Sequence, residues 1–446
     1  MSKEAKALKA GIGKCDITPR LGIKIGGYFR ERIADGVLDP LELTALALEN
    51  RDTKVLLISI DNEGLEQKFT DTLRHFISDN TKIPFEAIII SATHCHTSPI
   101  VKMDTGDELI ENYLRTLRDK MLEAVNVAIS DLKEAICYSS ESVAEKVAFI
   151  RRFYMKDKSV VTNPGVWNPD IVAPVGDVDE RVQVLRFERE DGDLVLFAFG
   201  NHPDTISGNK FSADWPGIAR RMVEAKRKNT RCIFFTGCAG DVNHINVHPD
   251  KEIVNGRTSG YHYAEHIGCV VGNAVLSALK NETKNKLDEL KYLNRTISIV
   301  SNMPQKAELP EAHRIKKLYD EGRITEIPFC GTMMHTTIIA EALRMVELEN
   351  GPDNFEMTLS GVSIGNIAII GIPGEAFTGI GRALKDSVEF DSVIPITQAN
   401  GYEGYFPMRE AYDDGGYEAK CSPFKSGVAE YIIDEGKKLL KELKFK

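Results

Sequence analysis

The sequence has 446 residues, which is enough chain for a large buried core. Its 56 basic and 66 acidic side chains give a net charge of −10, which argues against a general nucleic-acid binder or a protein of acidic membrane surfaces. Hydrophobic residues make up 42% and charged residues 27% of the chain, as in folded globular proteins and unlike disordered ones.

Targeting and membrane signals are not evident in the sequence. No segment approaches the roughly 18 consecutive apolar residues that a membrane-spanning helix needs. The first residues, Met1–Lys6, are not followed by the apolar run of a secretory signal. The cysteines are scattered and form no C-x-x-C pair, so neither a zinc ribbon nor a disulfide framework is indicated. We therefore expect a cytoplasmic protein without integral membrane association.

Apolar runs of strand length recur along the chain, and most lack clean alternation, so both faces of a sheet should be covered. They lie at Val55–Ile60, Ala87–Ile90, Val182–Phe187, Leu194–Phe199, Cys232–Phe235, Ile367–Ile372 and Val393–Ile396. Segments of helical period lie at Leu109–Leu132, Pro216–Lys226, Tyr263–Leu279, Pro310–Glu321, Thr336–Leu348, Gly379–Ser387 and Ser426–Leu443. This interleaving predicts an α/β fold in which sheets are sandwiched between helices.

Two loops and one helical segment complete the predicted organisation. Ile17–Asp39 is rich in Gly and Arg, and Lys156–Asp179 contains three prolines. Long loops in compact enzymes often cover a site. Residues 302–348 read as mainly helical and would form a lid or a small insertion. No break in composition marks a boundary, so we expect a single domain over residues 1–446.

The most informative local motif is Ser91–Pro99, with the sequence S-A-T-H-C-H-T-S-P, which follows an apolar run. If the strand continues into it, His94 and His96 project to the same side, because side chains alternate along a strand. They would lie at the carboxyl end of a strand, where α/β sheets place ligands. Two imidazoles there suit a divalent ion such as Zn²⁺, and hydrogen-bonded structural histidines are the alternative.

Polar residues follow other apolar strands in the same way. His202 follows one of them, the glycine-rich segment 236–244 follows another, and Glu375 follows a third. His202 could be a third imidazole or a structural turn residue. The glycine-rich segment could expose N–H groups to an oxyanion or be an ordinary turn. Glu375 could ligate a metal, act as a base, or cap the helix that starts near Thr378.

A rival metal motif lies at His262–His266, where H-Y-A-E-H matches the H-x-x-E-H pattern of some metallopeptidases. On a helix, His262 and His266 share one face and could hold zinc, with Glu265 as the base. A third ligand could come from Glu341 or Glu347. Ordinary packing or solvation at a helix start explains the same pattern, so a metallopeptidase is kept as an alternative function.

Taken together, the motifs resemble the catalytic domain of the neutral/alkaline (non-lysosomal) ceramidase family. The series covers about residues 9–425, and its joint order is hard to obtain by chance. It comprises G-I-G-K-C-D-I-T-P at Gly11–Pro19, D-P-L at Asp39–Leu41, the T-H-x-H segment, the strand-end His202, G-D-V at Gly240–Val242, P-G-E at Pro373–Glu375, and the tyrosine run to Tyr417. The resemblance implies a fold of two β-sheets sandwiched between helical layers.

The resemblance also implies one zinc ion with four ligands from distant parts of the chain, leaving room for water as catalytic zinc sites do. The ligands would be His94, His202, Glu375 and Tyr405. It implies that His96 lies near the scissile carbonyl and that Tyr417 lines the same site. Arg151 stands where the family places a substrate-binding arginine, and a slip of one residue would give Arg152 that role.

The sequence departs from the family pattern in ways that bear on the substrate. Asn243 stands where a serine follows Gly-Asp-Val in ceramidases; its amide can donate a hydrogen bond to an oxyanion but supplies no hydroxyl. We expect no C-terminal immunoglobulin-like domain, because the chain ends soon after the tyrosine run. A secretion signal is not expected either, whereas ceramide is met at membranes.

These observations predict a zinc-dependent hydrolase that cleaves the C–N bond of an amide, with an ester or a lactone as alternatives. The substrate would be small and soluble. His96 would act as acid and base or as an oxyanion donor, while Asn243 and Arg151 orient the substrate. A non-catalytic relative that binds a metal or a ligand is the alternative from another class of protein.

Overall fold

The structure is a computed structural model that describes residues 7–249, 258–286 and 289–445. Its strands are β1 (Leu8–Asp16), β2 (Lys24–Ile25), β3 (Arg32–Ile33), β4 (Gly36–Val37), β5 (Glu42–Asn50), β6 (Thr53–Ile60), β7 (Ile88–Ala92), β8 (Lys133–Val143), β9 (Phe149–Ile150), β10 (Arg152–Met155), β11 (Val160–Thr162), β12 (Ile171–Pro174), β13 (Arg181–Glu188), β14 (Leu194–Phe199), β15 (Lys210–Phe211), β16 (Arg231–Thr236), β17 (Val242–Asn243), β18 (Thr283–Lys284), β19 (Leu290–Val300), β20 (Asn354–Ile364), β21 (Ile367–Gly371), β22 (Glu375–Ala376), β23 (Ser392–Ile396) and β24 (Tyr405–Phe406).

Helices alternate with these strands over most of the described chain. The α-helices are α1 (Gln67–Thr81), α2 (Glu108–Ser130), α3 (Asp214–Lys226), α4 (Tyr261–Ala278), α5 (Leu309–Asp320), α6 (Met333–Leu348), α7 (Thr378–Lys385), α8 (Arg409–Asp414), α9 (Tyr417–Cys421) and α10 (Val428–Phe445). Two short 3-10 turns lie at Phe85–Ala87 and Ile324–Glu326. No helix in the described ranges is long and apolar enough to span a bilayer.

The larger sheet runs in the order β16–β14–β13–β8–β1–β5–β6–β7, with β18 paired to β8. Most neighbours are antiparallel, but β6 with β7 and β14 with β16 are parallel. The sheet curls until its ends meet: Ser59 Oγ donates to the carbonyl of Phe234, and Thr236 Oγ1 donates to that of Thr93, both at 2.6 Å. The carboxyl ends of four strands, β6, β7, β14 and β16, are thereby brought to one edge.

The smaller sheet runs in the order β19–β20–β21–β23 and packs face to face with the larger one. One buried cluster contains Ile60 and Ile90 of the larger sheet together with Ile364 and Ile369 of the smaller. Beyond β23, Asn400 Oδ1 accepts from the Ile90 N–H at 2.9 Å. The smaller sheet therefore delivers its own strand ends to the edge where the larger sheet closes.

Helices cover the outer faces of both sheets, as the sequence predicts for an α/β sandwich. Helix α2 lies so close to β1 that a Cβ on Gly11 would stand 2.2 Å from the carbonyl oxygen of Ala128, which explains why the opening motif needs glycine there. Helices α3 and α4 share a buried cluster with β14 and β16. Helices α7 and α10 do the same with the smaller sheet. The α/β class and its sandwiched sheets are confirmed.

The boundaries of the predicted elements are close to the observed ones, but several elements were not predicted. The run Leu194–Phe199 is β14 to the residue, and the prediction Leu109–Leu132 is α2 within two residues at each end. Helix α1 and the long antiparallel strands β8, β19 and β20 were missed, because their sequences mix polar and apolar residues. Their burial patterns also mix, with exposed and buried positions along β8.

The segment predicted as a lid holds two packed helices, α5 and α6. They share a small apolar cluster, with Ile315 of α5 and Ile339 of α6 among its buried members, and Phe29 packs against it. Phe29 belongs to the predicted loop Ile17–Asp39, so two segments far apart in sequence meet here. We use the name lid for residues 302–348.

Candidate metal centre and its cavity

The ends of several strands bring polar side chains to one edge of the two sheets. Glu63 follows β6, His94 and His96 follow β7, His202 follows β14, and Glu375 opens β22. His94, His202 and Glu375 are buried, whereas Glu63 and His96 are partly exposed. Because β6 and β7 run parallel, as do β14 and β16, their carboxyl ends lie on the same side, where α/β folds place ligands.

His94, His96 and His202 form the one group of possible metal ligands found within the described ranges, and their ligand nitrogens lie within 4.8 Å of one another. Nε2 of His96 lies 3.3 Å from Nε2 of His94. Oε2 of Glu375 lies 3.1 Å from Nε2 of His202 and 3.3 Å from Nε2 of His94. The cluster, three imidazoles and one carboxylate, could hold a metal ion.

Backbone carbonyl groups fix the tautomer of all three rings. The partners of the Nδ1 atoms are the carbonyl of Glu63 at 2.7 Å for His94, of Gly27 at 3.0 Å for His96 and of Val242 at 2.8 Å for His202. A carbonyl only accepts, so each Nδ1 carries the proton, and a neutral ring keeps its lone pair on Nε2. The rings therefore turn lone pairs toward one another and toward the carboxylate, which is how metal-binding histidines are usually oriented.

The pKa shifts of the clustered side chains also favour one positive charge beside Glu375. Burial disfavours charge on His94, but the Glu375 carboxylate outweighs it, so the pKa of His94 is raised above its ordinary value. Burial and the charge on His94 lower the pKa of His96 to about 3, and burial and Arg151 lower that of His202 to about 3. Burial opposes charge on Glu375, yet His94 and His202 hold its pKa well below the usual range. A proton on His94 thus occupies the place that suits a metal ion.

The route by which His94 and His96 come together differs from the one predicted. Strand β7 ends at Ala92, and His94 has a φ of +67°, so the alternation of a continued strand does not place the two rings. A left-handed non-glycine residue costs of order 1–3 kcal/mol and is found where function demands it. Gly27 is needed beside them, because its φ is +97° and a Cβ there would lie 2.8 Å from His96 Nδ1.

Arg151 lies against the cluster and is held by a buried carboxylate. Its Nε donates to Glu418 Oε1 at 2.6 Å, and its Nη2 donates to the carbonyl of Gly240 at 2.7 Å. Its Nη1 lies 3.4 Å from Nε2 of His202. Arg152 instead donates to the carbonyl of Gly415 at 2.9 Å and does not line the cavity described below. Of the two arginines proposed from sequence, the geometry favours Arg151.

Tyrosines close the other side of the site. Tyr405 pairs with Glu375 across β22 and β24, and the rings of Tyr405 and Tyr417 stand edge to face at 5.7 Å. Burial raises the pKa of Tyr405 well above its ordinary value, against the opposing charge of Arg151. Tyr402, which belongs to the same tyrosine run but is not among the predicted site residues, places its hydroxyl 3.4 Å from Glu375 Oε1. The hydroxyl of Tyr402 is thus a further neighbour of the carboxylate.

A cavity of about 370 Å³ opens beside the cluster. One wall carries the predicted site residues His96, Arg151, His202, Tyr405 and Tyr417. The predicted loop Ile17–Asp39 contributes Tyr28, Phe29 and Arg30 to the lining, and the lid contributes Ile324, Met333, His335, Thr336 and Ile339. The cavity is therefore lined by both polar and apolar side chains, as in many small-molecule sites.

Asn243 does not line this cavity, although the sequence proposes it as a substrate-orienting residue. Asn243 is buried behind Asn163, which does line the cavity, and its Nδ2 donates to Oδ1 of Asn163 at 2.8 Å. The neighbouring Asp241 accepts from the N–H and the hydroxyl of Thr378, at 2.7 and 2.8 Å, and so holds the start of α7. Glu375 is therefore not the cap of that helix.

Sequence reasoning missed several polar residues of the cavity, among them Tyr28, Arg30, Asn163 and Asp204. The Tyr28 hydroxyl donates a short hydrogen bond to Asp204 Oδ1. The available signal was position alone: Asp204 lies two residues after His202, and Tyr28 and Asn163 lie in the two predicted loops. No residue pattern distinguishes them from ordinary loop residues.

The rival motif on α4 lies apart from the cluster. The His262 side chain is 69% exposed and its Nδ1 lies 3.4 Å from Oε2 of Glu265. The ring of His266 stacks near Tyr263 at 5.9 Å. Within the described ranges these residues form no group of three possible ligands. The geometry supports the structural interpretation of H-x-x-E-H.

We therefore expect the paired substitutions His262→Ala and His266→Ala to leave metal content and hydrolysis unchanged. The reason is that neither ring contacts the cluster of His94, His96 and His202. Metal analysis of the purified variant and a rate measurement check this. A loss of bound metal equal to that caused by changing His202 would return the metallopeptidase motif to consideration.

The fold defined by these sheets and helices is that of the neutral ceramidases. The crystal structure of neutral ceramidase from Pseudomonas aeruginosa superposes with a TM-score of 0.74 at 15% sequence identity, covering 99% of this chain and 75% of that one. A ceramidase structure described as complexed with C2 gives 0.72 at 15% identity, covering 98% and 75%. No family model and no curated protein matches the sequence. The similarity therefore establishes the fold.

Proposed function

We propose that this chain is a zinc-dependent hydrolase that cleaves the C–N bond of an amide, with an ester or a lactone as the next choice. The observation that carries the proposal is the convergence of three imidazole nitrogens and one carboxylate oxygen beside a cavity. The proposed ligands of one zinc ion are His94, His202, Glu375 and Tyr405. Imidazole and carboxylate donors suit zinc, and Tyr405 is included because the resemblance to the ceramidase family implies it.

The residues present fit the ion. The Nδ1 atom of each imidazole is held by a backbone carbonyl, which leaves the three Nε2 atoms and the Glu375 carboxylate close to one another. In a buried site such a group favours a positive charge, whether the proton on His94 or a metal ion. When bound, zinc supplies Lewis acidity that activates water and polarises a carbonyl group.

His96 is the proposed acid–base residue. Its Nδ1–H is committed to the Gly27 carbonyl, so Nε2 is the atom that takes a proton from the attacking water. The same Nε2 atom would return the proton to the leaving nitrogen. Arg151 and Tyr417, which line the same wall, would orient the substrate carbonyl.

The proposed substrate is a small molecule. A cavity of about 370 Å³ lies near the lower end of the usual range for ligand sites, ~300–1,000 Å³. Its mixture of polar and apolar lining residues suits a compound with an apolar acyl part and a polar part near the scissile bond. All eight cysteines are free thiols, which supports the proposal of a cytoplasmic location.

Metal analysis together with a substrate panel tests the proposal. Protein dialysed against Zn²⁺ should retain one ion per chain, and its melting temperature should fall when a chelator removes it, because a ligand of the folded state stabilises that state. The panel should contain short N-acyl amides, their ester counterparts, lactones and long-chain N-acyl amides. We expect turnover of short amides. Zinc binding without any product would identify a binding protein instead of an enzyme.

A further inference from the structure

The orientation of one buried amide can be deduced from the backbone beside it. The N–H of Ile245 donates to Oδ1 of Asn243 at 3.0 Å. A backbone N–H can only donate, so this end of the Asn243 amide must be its oxygen. The opposite end is then Nδ2, which donates to Oδ1 of Asn163 at 2.8 Å. The first hydrogen bond thus determines the orientation of the Asn243 amide, and the second then determines that of the Asn163 amide.

Asn163 is the end of this chain of contacts and lines the cavity. Its Oδ1 is taken by Asn243, so its Nδ2 is the free end, and no described residue accepts a hydrogen bond from it. The oxygen of Asn163 therefore accepts from Asn243, while its two N–H donors have no partner among the described residues. Tyr28 and Asp204, which also line the cavity, are already paired with each other.

The backbone holds Asn163 rigidly against the proposed catalytic wall. Its N–H donates to the carbonyl of Arg151 at 2.7 Å, and its φ is +50°, a left-handed value that asparagine tolerates better than most residues. Strand β9 pairs with β17, with Phe149 opposite Asn243, so the two asparagines and Arg151 share one small framework. Such a framework limits the freedom of the Asn163 side chain.

We propose that Asn163 binds the substrate through its Nδ2 donors, and that Asn243 is the positioning residue that keeps these donors turned to the cavity. The ligand class is a compound with a hydrogen-bond-accepting oxygen, a carbonyl or a hydroxyl, next to the scissile bond. This inference rests on the proposed function, because it takes the cavity as the substrate site. It gives Asn243 a role that does not require it to touch the substrate.

The variant Asn243→Asp tests the positioning role without changing the cavity lining. Its carboxylate still accepts from Ile245 but no longer donates, so the Asn163 amide must turn its NH₂ toward residue 243 and its oxygen toward the cavity. Asn163→Asp removes the same donors directly and still accepts from Asn243. Ser207→Ala, at the rim of the same cavity, is the matched control.

The readout is the side-chain N–H cross-peak of Asn163 in NMR spectra of ¹⁵N-labelled protein, assigned by its loss in Asn163→Asp. The probe is N,N-dimethylacetamide, which has an accepting oxygen and no N–H or O–H. We expect saturable shifts of this peak in the wild type and in Ser207→Ala, and none in Asn243→Asp. This measurement needs neither turnover nor metal. An unresponsive wild-type peak, or an unchanged response in Asn243→Asp, overturns the inference.

Kinetics on the best amide of the panel provide the second measurement. Loss of one neutral hydrogen bond is worth about a 3- to 10-fold rise in KM, with bound zinc unchanged. Both asparagine variants should show it. If KM does not change in either variant while His202→Ala is inactive, the inference fails and the hydrolase stands. If the wild type hydrolyses nothing, the proposed function fails and the cross-peak still decides the inference.

Discussion

Replacement of His202 by alanine is expected to remove both the bound metal and the activity. The residue supplies one Nε2 to the cluster, and its ring is fixed by the Val242 carbonyl and contacts Glu375 Oε2 at 3.1 Å. Loss of a partner outside the ligands costs about 10- to 100-fold in metal affinity or activity, so loss of a ligand should cost more than 100-fold. Elemental analysis of dialysed protein and rates at saturating zinc measure the effect.

His335→Ala is the matched control for this experiment. His335 lines the same cavity, but its Nε2 is held by the carbonyl of Ile324 at 2.9 Å and it belongs to the lid. We expect this variant to bind one zinc ion as the wild type does. A His202→Ala protein that folds and retains a full complement of zinc would refute the proposed ligand set.

Replacement of Arg220 by methionine is expected to produce a large loss of stability. Arg220 donates two hydrogen bonds to Asp61, at 3.0 and 2.6 Å, and the Asp61 side chain is fully buried. Removal of one partner of a buried ion pair costs about 3–5 kcal/mol, because the remaining charge loses its counterion. The free energy of unfolding from urea titrations measures this.

The pH dependence of this variant adds a second check. Burial raises the pKa of Asp61 even with Arg220 present, and without the arginine it should rise further. A carboxyl group whose pKa is raised by folding destabilises the protein at high pH. The deficit of Arg220→Met relative to the wild type should therefore shrink as the pH falls and Asp61 takes up a proton.

Arg221→Met is the control for the loss of a positive charge. The Arg221 side chain is 46% exposed and pairs with Asp39 at 3.4 Å, so we expect a change below about 1 kcal/mol. The double variant Asp61→Leu with Arg220→Met should recover part of the loss, since it buries no charge. If Arg220→Met is no more destabilising than Arg221→Met, the buried pair does not have the importance given to it here.

The fold was predictable because most of its core elements carry a regular apolar signal. The sequence alone identifies Leu194–Phe199 as a strand and Leu109–Leu132 as a helix. The order of such strands and helices along the chain predicts an α/β sandwich. Strand β8 shows no such signal, because several of its residues are exposed to solvent. Its pairing depends on tertiary contacts that local sequence does not contain.

In the candidate site, only residues that follow apolar strands or belong to the family motifs were predictable from the sequence. His94, His96 and His202 lie after apolar strands, and the structure places them together. Sequence does not reveal that His94 adopts a left-handed conformation, or that Asn243 acts behind Asn163. These features arise from the closing of the sheet and from loop contacts between residues about 80 positions apart.

The closed edge of the larger sheet has a consequence for biosynthesis. The clustered donors span His94 to Glu375, and they meet only when both sheets have formed and joined. Contacts between residues so distant in sequence form late and slowly in folding. A chain interrupted before the smaller sheet lacks Glu375, so the proposed metal ligands can come together only after that part of the chain has been synthesised.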